Sequence, residues 1–346
     1  MALNPSGTPS PRRHMIPAAL VAVAVLIAAG AAIATTAAYF ELRPSGPPAP
    51  GTVAVTDDLG RTVNVPVDPS RVVVLSPNIV DSMVRLGLRE RVVGVDCESA
   101  AFGGLTGDYS PAQITSWNLT SALCVQVGPT LSVEDLLNKT PQLVLTSTIV
   151  SLSDIEEISS TYGIPVVTLA PATLGGIVVD VELLRTIFPS APGAELVGEL
   201  QRSIANASAL SSALAANGTA FPTVLLVYYV TPAASPSPGY WTFGPGTFGE
   251  SLVEAAGGVG IAANSTVAYP ELSGAQVLAA DPQVLLYGTG FGLDLSTYQG
   301  APDWGNLPAV AAGHDYPIDS TLITEAGPTM LLEGLPQLTA LLHPGA

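Results

Sequence analysis

The side chains that could do chemistry in this sequence are mainly hydroxyls and aromatic rings, placed where apolar runs end. Four apolar runs end in this way, and a further aromatic group lies in the loop SPSPGYWTFGPG. The candidate ligand contacts are Ser76 and Asn78, Ser147 and Thr148, Tyr228 and Tyr229, Trp241, and Tyr287 and Thr289. Because rings supply contact area and a few hydroxyls fix orientation, this set favours the binding of a large, near-neutral molecule that bears rings.

The sequence offers few groups for catalysis or for holding a metal ion. Its three histidines stand in the leader (His14), in a turn (His314) and in the tail (His343). No serine occupies a G-x-S-x-G turn, and no set of cysteines and histidines has the spacing of metal ligands. We therefore predict no catalytic residue, no metal site and no cofactor. Asp319 and Glu325 are the only carboxylates that an enzyme built on this chain could use as an acid–base pair.

The apolar runs are continuous rather than alternating, which is typical of parallel strands covered by helices on both faces. One pattern occurs twice: DLLNKTPQLVLTS (135–147) and QVLAADPQVLLYG (276–288) both lead from a helix through Pro-Gln into an apolar strand. We therefore predict an α/β protein with two Rossmann-like α/β lobes. Ligands of open parallel sheets lie beyond the carboxyl ends of the strands, so the ligand cleft should lie between the lobes.

A single long helix is expected to join the lobes. Leu196, Leu200 and Ile204 recur at near-helical spacing, and Asn217-Gly218 ends the pattern. About twenty residues of helix span about 30 Å, and so stiff a connection predicts small opening motions. The predicted boundaries are 52–172 for the first lobe, 173–216 for the connecting helical segment and 217–346 for the second lobe.

The start of the chain indicates export. Arg12 and Arg13 precede a stretch, residues 16–40, that has no charged residue before Glu41 and is long enough to cross a bilayer. We interpret it as a transmembrane anchor or, alternatively, as a cleaved signal peptide. Residues 1–15 would then be a cytoplasmic leader, and the proline-rich residues 41–51 a spacer. The folded part is predicted to be extracytoplasmic, at the cell surface.

Two further features agree with an extracytoplasmic location. Cys97 and Cys124 are the only cysteines, and such a pair most simply forms one disulfide, the alternative being two buried thiols. Sequons for N-linked glycans occur at Asn118, Asn138, Asn206, Asn217 and Asn264. The formal net charge of −17 makes nucleic acid a poor partner, because phosphate binding needs clustered cations.

Several motifs, in this order, resemble those of the substrate-binding proteins of ABC importers for cobalamin and ferric siderophores, the type with a helical backbone between its lobes. They are VTDDLGRTVNVPVDPSRVVVLSP, GLRERVVGVD, VEDLLNKTPQLVL, ESLVEAAGG, QVLAADPQVLL, WGNLPAVAAG, YPID and GPTMLLEGLPQL, within residues 52–343. The resemblance implies a protein that binds a small molecule between its lobes, without catalysis, and hands it to an ABC permease driven by an ATPase.

The resemblance also implies roles for individual residues. In this family one exposed carboxylate on each lobe docks to permease arginines, and the matching positions are Glu134 and Glu254. Asn138 lies one turn from Glu134, so a glycan on it would crowd the docking face. Siderophore binders often carry arginine around a Gly-Pro motif, which is flanked here by Glu325 and Thr329. Burying an anionic ferric catecholate without cations is costly, which favours cobalamin or a near-neutral chelate such as a hydroxamate.

Two other functions are kept as alternatives. A cell-surface enzyme would act on a small molecule in the same cleft and would need a titratable pair there. A surface sensor or adhesion module would bind its ligand without any permease. Adjacent permease and ATPase genes would favour transport over the sensor.

Overall fold

A computed structural model of the chain defines residues 50–97, 109, 111–128, 130–235, 237–290 and 292–345. The predicted leader, the predicted membrane segment and residues 41–49 of the predicted spacer lie outside the described residues. Within the described ranges, no helix has both the length and the apolar character that crossing a bilayer requires.

The described residues form a hairpin and two α/β lobes. The strands are β1 (Thr52–Thr56), β2 (Thr62–Pro66), β3 (Val72–Leu75), β4 (Val92–Asp96), β5 (Cys124–Val125), β6 (Leu143–Thr146), β7 (Val166–Thr168), β8 (Thr223–Thr231), β9 (Gly239–Thr242), β10 (Val259–Gly260), β11 (Glu271–Leu272), β12 (Val284–Thr289) and β13 (Asp315–Asp319). The α-helices are α1 (Pro77–Arg85), α2 (Pro111–Ser116), α3 (Val133–Asn138), α4 (Leu152–Glu156), α5 (Leu174–Ile187), α6 (Leu196–Ala216), α7 (Phe248–Ala255), α8 (Gly274–Ala280), α9 (Leu295–Gln299), α10 (Pro308–Ala311), α11 (Thr321–Thr324) and α12 (Leu335–Leu342). Short 3-10 turns lie at Arg89–Arg91, Ser121–Leu123 and Trp304–Asn306, and π-helical turns at Glu157–Thr161 and Met330–Gly334.

The antiparallel hairpin of β1 and β2 is attached to the first lobe by its turn. The carboxylate of Asp57 accepts a hydrogen bond from the backbone N–H of Arg61 at 2.9 Å and pairs with the guanidinium of the same residue. It also accepts the N–H of Thr168 at 3.2 Å, at the end of β7. One buried carboxylate therefore both shapes the turn and holds it against the sheet.

The sheet of the first lobe is parallel, with the strand order β5-β4-β3-β6-β7. Its central strand β3 is fully buried, and its side chains alternate between two cores. Val72 and Val74 belong to one core, whereas Val73 and Leu75 belong to the other. The continuous apolar run VVVL is thus confirmed as a parallel strand buried on both faces.

The sheet of the second lobe is mixed rather than wholly parallel. Its order is β11-β9-β8-β12-β13, and β10 also pairs with β8. The strands β8, β12 and β13 are parallel to one another, whereas β9 runs antiparallel to its neighbours. The short connection after β8 allows only an antiparallel return. The parallel plan predicted for both lobes therefore holds for β10, β8, β12 and β13 but not for β9 and β11.

The repeated Pro-Gln motif makes the same contacts in both lobes. The side-chain carbonyl of Gln142 accepts a hydrogen bond from the backbone N–H of Ser70 at 2.7 Å. The backbone N–H of Gln142 donates to the carbonyl of Arg71 at 2.8 Å. The side-chain carbonyl of Gln283 accepts the N–H of Thr223 at 3.0 Å, and its N–H donates to the carbonyl of Thr223 at 2.9 Å. In each lobe, this glutamine ties the start of one parallel strand to the start of its neighbour.

The predicted connecting segment, residues 173–216, contains the long helix that the sequence predicts and a second helix before it. The helix α6 matches the prediction in position and length, with 21 residues. The helix α5 precedes it and is capped by Thr173, whose side chain accepts the N–H of Gly176 at 3.1 Å. Two adjacent glycines and several β-branched residues weaken the helical signal of its sequence, but tertiary packing overrides that weakness.

The turn into α6 presses against the first lobe at Gly193. A Cβ atom at this position would lie 2.5 Å from the carbonyl oxygen of Arg85 and 2.8 Å from the Cα of Leu86. The N–H of Gly193 also donates to the carbonyl of Leu86 at 3.2 Å. The start of the connecting helix is therefore fixed directly on the end of α1.

The two lobes share one continuous apolar core. The core cluster that contains Val74 of the first lobe also contains Leu200 of α6 and Leu226 and Met330 of the second lobe. Side chains in such a core are packed closely and resist displacement. The shared core agrees with the prediction that the lobes move little relative to each other.

A polar network also joins the lobes, from α1 to the 326–333 segment. Asp81 is 4% exposed and accepts the N–H of Thr329 at 2.7 Å. Arg85 binds Asp81 at 2.8 Å, the hydroxyl of Thr329 at 2.9 Å and the carboxylate of Glu333 at 2.8 Å. Asn78 donates to the carbonyl of Ala326 at 3.2 Å. Burial raises the pKa of Asp81 above its ordinary value, although Arg85 and the Thr329 amide act in the opposite direction.

Replacing Asp81 with alanine removes a buried acceptor from both the Thr329 amide and the Arg85 guanidinium. We expect the free energy of unfolding to fall by about 3 kcal/mol, measured by urea denaturation with far-UV circular dichroism. Glu333→Gln is the matched control, because it removes the other carboxylate that pairs with Arg85. The side chain of Glu333 is 57% exposed, so its loss should lower the free energy of unfolding by less than about 1 kcal/mol. Equal losses for the two variants would contradict the importance of burial.

A second buried acid, Asp180 of α5, lies against the hairpin. It is 6% exposed and shares a hydrogen bond with Asp58, which also accepts the N–H of Ala170. Burial, with the neighbouring charge of Asp58, raises the pKa of Asp180 to about 8. At neutral pH, Asp180 therefore keeps its proton and acts as a donor to Asp58.

The raised pKa of Asp180 predicts that the folded protein loses stability as the pH rises. The unfolded chain ionises this group above its ordinary pKa of about 4, whereas the folded protein keeps the proton up to about pH 8. The folded state therefore binds more protons in this window, and its stability falls from about pH 4 to about pH 8. Asp180→Asn removes this loss, so we expect it to raise the free energy of unfolding by about 2 kcal/mol at pH 8 and by much less at pH 4.

Thermal melts across this pH range would measure the effect of Asp180→Asn. Asp281→Asn, at an exposed position, serves as the control and should leave the pH dependence of the wild type unchanged. If Asp180→Asn gave the same pH profile as the wild type, the shared proton would not contribute to stability.

Candidate functional site

A small cleft lies between the two lobes. It opens where two parallel strands end, β3 in the first lobe and β13 in the second, as predicted for an α/β ligand site. Its lining residues come from both lobes: Pro77, Asn78, Asp81, Tyr109, Gln113 and Trp117 from the first, and Thr321, Glu325 and Thr329 from the second.

The end of β3 leads through Ser76 to Asn78, and of these two predicted contacts only Asn78 lines the cleft. Both side chains also have structural partners. Ser76 precedes α1 in an extended conformation, and Pro77 begins the helix at a position where its missing N–H costs nothing. The hydroxyl of Ser76 donates to the side-chain carbonyl of Asn78, and the side-chain amide nitrogen of Asn78 donates to the backbone carbonyl of Ala326. Asn78 is both a lining residue and a tie between the lobes.

Two aromatic rings form the wall of the cleft on the side of the first lobe. The rings of Tyr109 and Trp117 meet edge to face, with their centroids 5.8 Å apart at 77°. Trp117 follows α2, and the guanidinium of Arg89 binds the carbonyl of Asn118 at 2.7 Å and also that of Trp117. These residues were missed from the sequence, because no apolar run ends near them. The signal present was the pair of rings in YSPAQITSW.

The cleft presents negative charge. Asp81 and Glu325 line it, and no lysine or arginine is among the lining residues that the structure describes. The guanidinium of Arg85 binds the hydroxyl of Thr329 beside the Gly-Pro motif and also pairs with Asp81 and Glu333. This cation is therefore already neutralised by two carboxylates.

Ser147 and Thr148 follow β6, which pairs with β3, so they lie at the same edge of the sheet as Ser76. Both are half-buried, and the hydroxyl of Ser147 accepts the N–H of Ile149 at 3.4 Å. Neither residue lines the cleft described above. Their position leaves them available only to a ligand that extends beyond this cleft.

Tyr228, Tyr229 and Trp241 do not line the cleft. Tyr228 is 7% exposed, its ring lies 4.8 Å from that of Phe243, and burial raises the pKa of its hydroxyl. Trp241 pairs with Tyr229 across the strands β9 and β8 and donates to the hydroxyl of Thr231 at 3.1 Å. These rings pack against one another because β9 folds back on β8, so their predicted role as ligand contacts is not supported by their position.

The side chains of Tyr287 and Thr289 likewise make their contacts within the second lobe. Tyr287 is 4% exposed, and its ring lies 4.9 Å from that of Tyr298 and 5.4 Å from that of Trp304. The hydroxyl of Thr289 donates to the carbonyl of Ile318 at 3.2 Å. The ring of Tyr287 belongs to a core beneath the sheet, which places it away from the cleft.

The other predicted positions have clear places in the fold. Cys97 and Cys124 form a disulfide, as predicted, between the end of β4 and the start of β5. Glu134 on α3 and Glu254 on α7 are both exposed. Asp319 accepts the N–H and the hydroxyl of Thr321 at 2.9 and 2.8 Å. Among the described residues, no group of acids, histidines and cysteines is arranged to hold a metal ion.

Comparisons with known proteins agree with this architecture. A family profile described as periplasmic binding protein matches residues 72–322. Cobalamin-binding proteins from two strains of Halobacterium salinarum are 30% identical to the chain over 267 residues, which is 71% of this chain and 64% of theirs. The chain thus spans slightly less than two thirds of the length of these curated relatives.

Solved structures show the same fold at low sequence identity. The periplasmic vitamin B12 binding protein BtuF of Vibrio cholerae is 18% identical with a TM-score of 0.61, covering 80% of this chain and 98% of that one. The ABC-type Fe3+-hydroxamate transport system from Saccharomonospora viridis is 18% identical with a TM-score of 0.63, covering 85% and 99%. The molybdate periplasmic binding protein MolA of Haemophilus influenzae is 21% identical with a TM-score of 0.68, covering 84% and 91%.

These likenesses confirm the two-lobed mixed α/β fold, and the family profile covers most of the chain, including the end of β3, the connecting helices and β13. The protein belongs to the periplasmic binding protein family.

Proposed function

We propose that this protein is an extracytoplasmic solute-binding protein that captures cobalamin or a near-neutral iron chelate and delivers it to an ABC import permease with its ATPase. The observation that carries the proposal is the interlobe cleft, which has aromatic rings on one wall, carboxylates within it and no cation among its described lining residues. Membership of a family of solute-binding proteins and the name of the Halobacterium relatives support it.

The chemistry of the cleft suits a corrinoid or a hydroxamate complex. Tyr109 and Trp117 supply apolar ring surface, while Gln113 and Thr321 add amide and hydroxyl groups that can bind the amides of such ligands. The cleft is small and the lobes share a core, so a bulky ligand contacts it with one face and stays partly exposed to solvent. Non-catalytic binding with small lobe movements follows from this arrangement.

The charges argue against anionic catecholate complexes. A ligand of high negative charge would face Glu325, and Arg85 has no free charge to offer, since Asp81 and Glu333 already bind it. Uncompensated burial of like charges is strongly unfavourable. A neutral or cationic ligand meets no such penalty.

Export and tethering are part of the proposal. The uncharged segment 16–40 would hold the protein at the outer surface of the membrane or be removed after export, and the spacer 41–51 would separate the lobes from the bilayer. The asparagines of the sequons are all exposed, as N-glycosylation at the cell surface requires: Asn118, Asn138, Asn206, Asn217 and Asn264.

Ligand titration of the full chain in detergent tests the proposed binding. We expect cyanocobalamin or ferrioxamine B to bind with measurable heat in calorimetry and to quench tryptophan fluorescence, whereas the trianionic ferric enterobactin should not bind. Trp117→Phe should weaken binding about tenfold through the loss of ring area. Trp241→Phe is the matched control, because Trp241 lies outside the cleft. Absence of binding by any corrinoid or hydroxamate would contradict the proposal.

Charge reversal at Glu134 and Glu254 tests docking to the permease. In proteoliposomes that carry the cognate permease and ATPase, the variant Glu134→Arg/Glu254→Arg should lower ligand transport by about tenfold or more, because it turns attraction to permease arginines into repulsion. Ligand affinity should stay within about twofold of the wild type, since neither residue lines the cleft. Glu157→Arg, also at an exposed position of the first lobe, should have no effect on transport. Normal transport by the double variant would exclude this docking role.

A further inference from the structure

One stretch of chain, between Cys97 and Cys124, supplies a large part of the cleft. The disulfide joins residues 27 positions apart. The residues between them include Tyr109, Gln113 and Trp117, which form the wall of the cleft on the side of the first lobe. The geometry of this wall therefore depends on how that stretch is attached to the lobe.

The disulfide is the covalent attachment at the end of this stretch. The strand β5 has only two residues, and it pairs with β4 only through Val95 opposite Cys124 and Asp96 opposite Val125. A two-residue strand at the edge of a sheet is held by few hydrogen bonds, so it separates from its neighbour easily. The covalent bond between Cys97 and Cys124 fixes this pairing.

Arg89 is a second attachment, at the other side of the wall. Its guanidinium binds the carbonyl groups of Trp117 and Asn118, and also that of Val92 at 3.2 Å. The carbonyls that follow α2 are thus bound to the start of β4. The disulfide and Arg89 thus add two attachments to the packing that Trp117 and its neighbours Tyr109 and Leu119 make against the shared core.

The rest of the lobe does not depend on the disulfide for its pairing. The strands β3, β6 and β7 pair with one another in parallel, away from the β5 edge. Their fully buried side chains, such as those of Val74 and Leu145, pack in a core shared with the second lobe. Breaking the disulfide therefore removes the covalent attachment of the cleft wall, while these strands and the shared core keep their contacts.

The disulfide is open to chemical reduction. Both cysteines are half-buried rather than fully buried, and they are the only cysteines of the chain. A small dithiol can attack one sulfur to form a mixed disulfide and then close on itself. The S–S bond is reduced to two thiols by two electrons and two protons, and the dithiol is oxidised to a cyclic disulfide.

We propose that the Cys97–Cys124 disulfide is a redox-sensitive positioning element of the ligand cleft: the oxidised protein binds ligand, and reduction by a dithiol leaves it folded but weakens binding. This inference deepens the proposed function and rests on it. Tethering the wall in its bound arrangement lowers the entropy that binding would otherwise lose. Arg89 has the same positioning role through hydrogen bonds.

The test compares three forms of the full chain in detergent: oxidised, reduced with dithiothreitol and capped with iodoacetamide, and the variant Cys97→Ser/Cys124→Ser. Desalting after capping keeps the reductant away from the ligand. Far-UV circular dichroism should show the same fold in all three forms. Calorimetry with cyanocobalamin and with ferrioxamine B should give a Kd at least about tenfold higher without the disulfide. Unchanged affinity, or loss of the fold on reduction, would overturn the inference.

A second measurement needs no ligand. In a Trp241→Phe chain the described tryptophans are Trp117, which is half-buried, and Trp304, which is 4% exposed. Acrylamide should quench Trp117 more strongly after reduction, and equal quenching would also overturn the inference. If the oxidised chain binds neither ligand, the proposed function is wrong. If the oxidised and reduced chains bind a ligand with the same affinity, only the proposed role of the disulfide is wrong.

Arg89→Gln provides an independent check with the disulfide intact. It should raise the Kd and leave the fold unchanged, because it frees the carbonyls of Trp117 and Asn118. Arg91→Gln is the matched control: that arginine binds the carbonyls of Asp68 and Pro69 instead, and its loss should not alter the Kd. Equal affinities for these two variants would remove Arg89 from the positioning role.

Discussion

The arrangement of the two lobes depends on Asp81, a carboxylate buried at the floor of the cleft. It binds the Thr329 amide of the opposite lobe and the guanidinium of Arg85, which reaches on to Glu333. A buried charge is tolerated only where it is paired and hydrogen-bonded, so these groups must stay together. The core that runs from Val74 through Leu200 to Met330 adds an apolar constraint in the same place.

This constraint links the fold to the character of the ligand. The carboxylates of Asp81 and Glu333 also occupy the guanidinium of Arg85, which binds Thr329 beside the Gly-Pro motif. The cleft is left with rings, amides, hydroxyls and negative charge. A cleft of this composition is compatible with a bulky neutral or cationic ligand and disfavours the binding of a polyanion.

Much of the fold could be predicted from the sequence, because its strongest signals are local. The run VVVL, the repeated Pro-Gln and the apolar spacing of residues 196–216 each specify one element, and the structure contains all three. The residues that line the cleft were harder to predict, because the position of a strand end does not specify on which face of the sheet a side chain lies. Tyr287 turned into the core beneath its sheet, and a bulge between Val227 and Tyr229 changes the register at that point. The rings that do line the cleft, Tyr109 and Trp117, come from a stretch without periodicity, and only tertiary contacts bring them there.

Gly193 has a consequence for ligand recognition although it lies outside the cleft. The chain passes so close to Arg85 and Leu86 at this point that there is no room for a side chain. The helix that starts beyond it carries the second lobe, so the angle at this turn sets how far apart the two walls stand. A change at this turn would therefore alter the spacing of the walls and leave their chemistry unchanged.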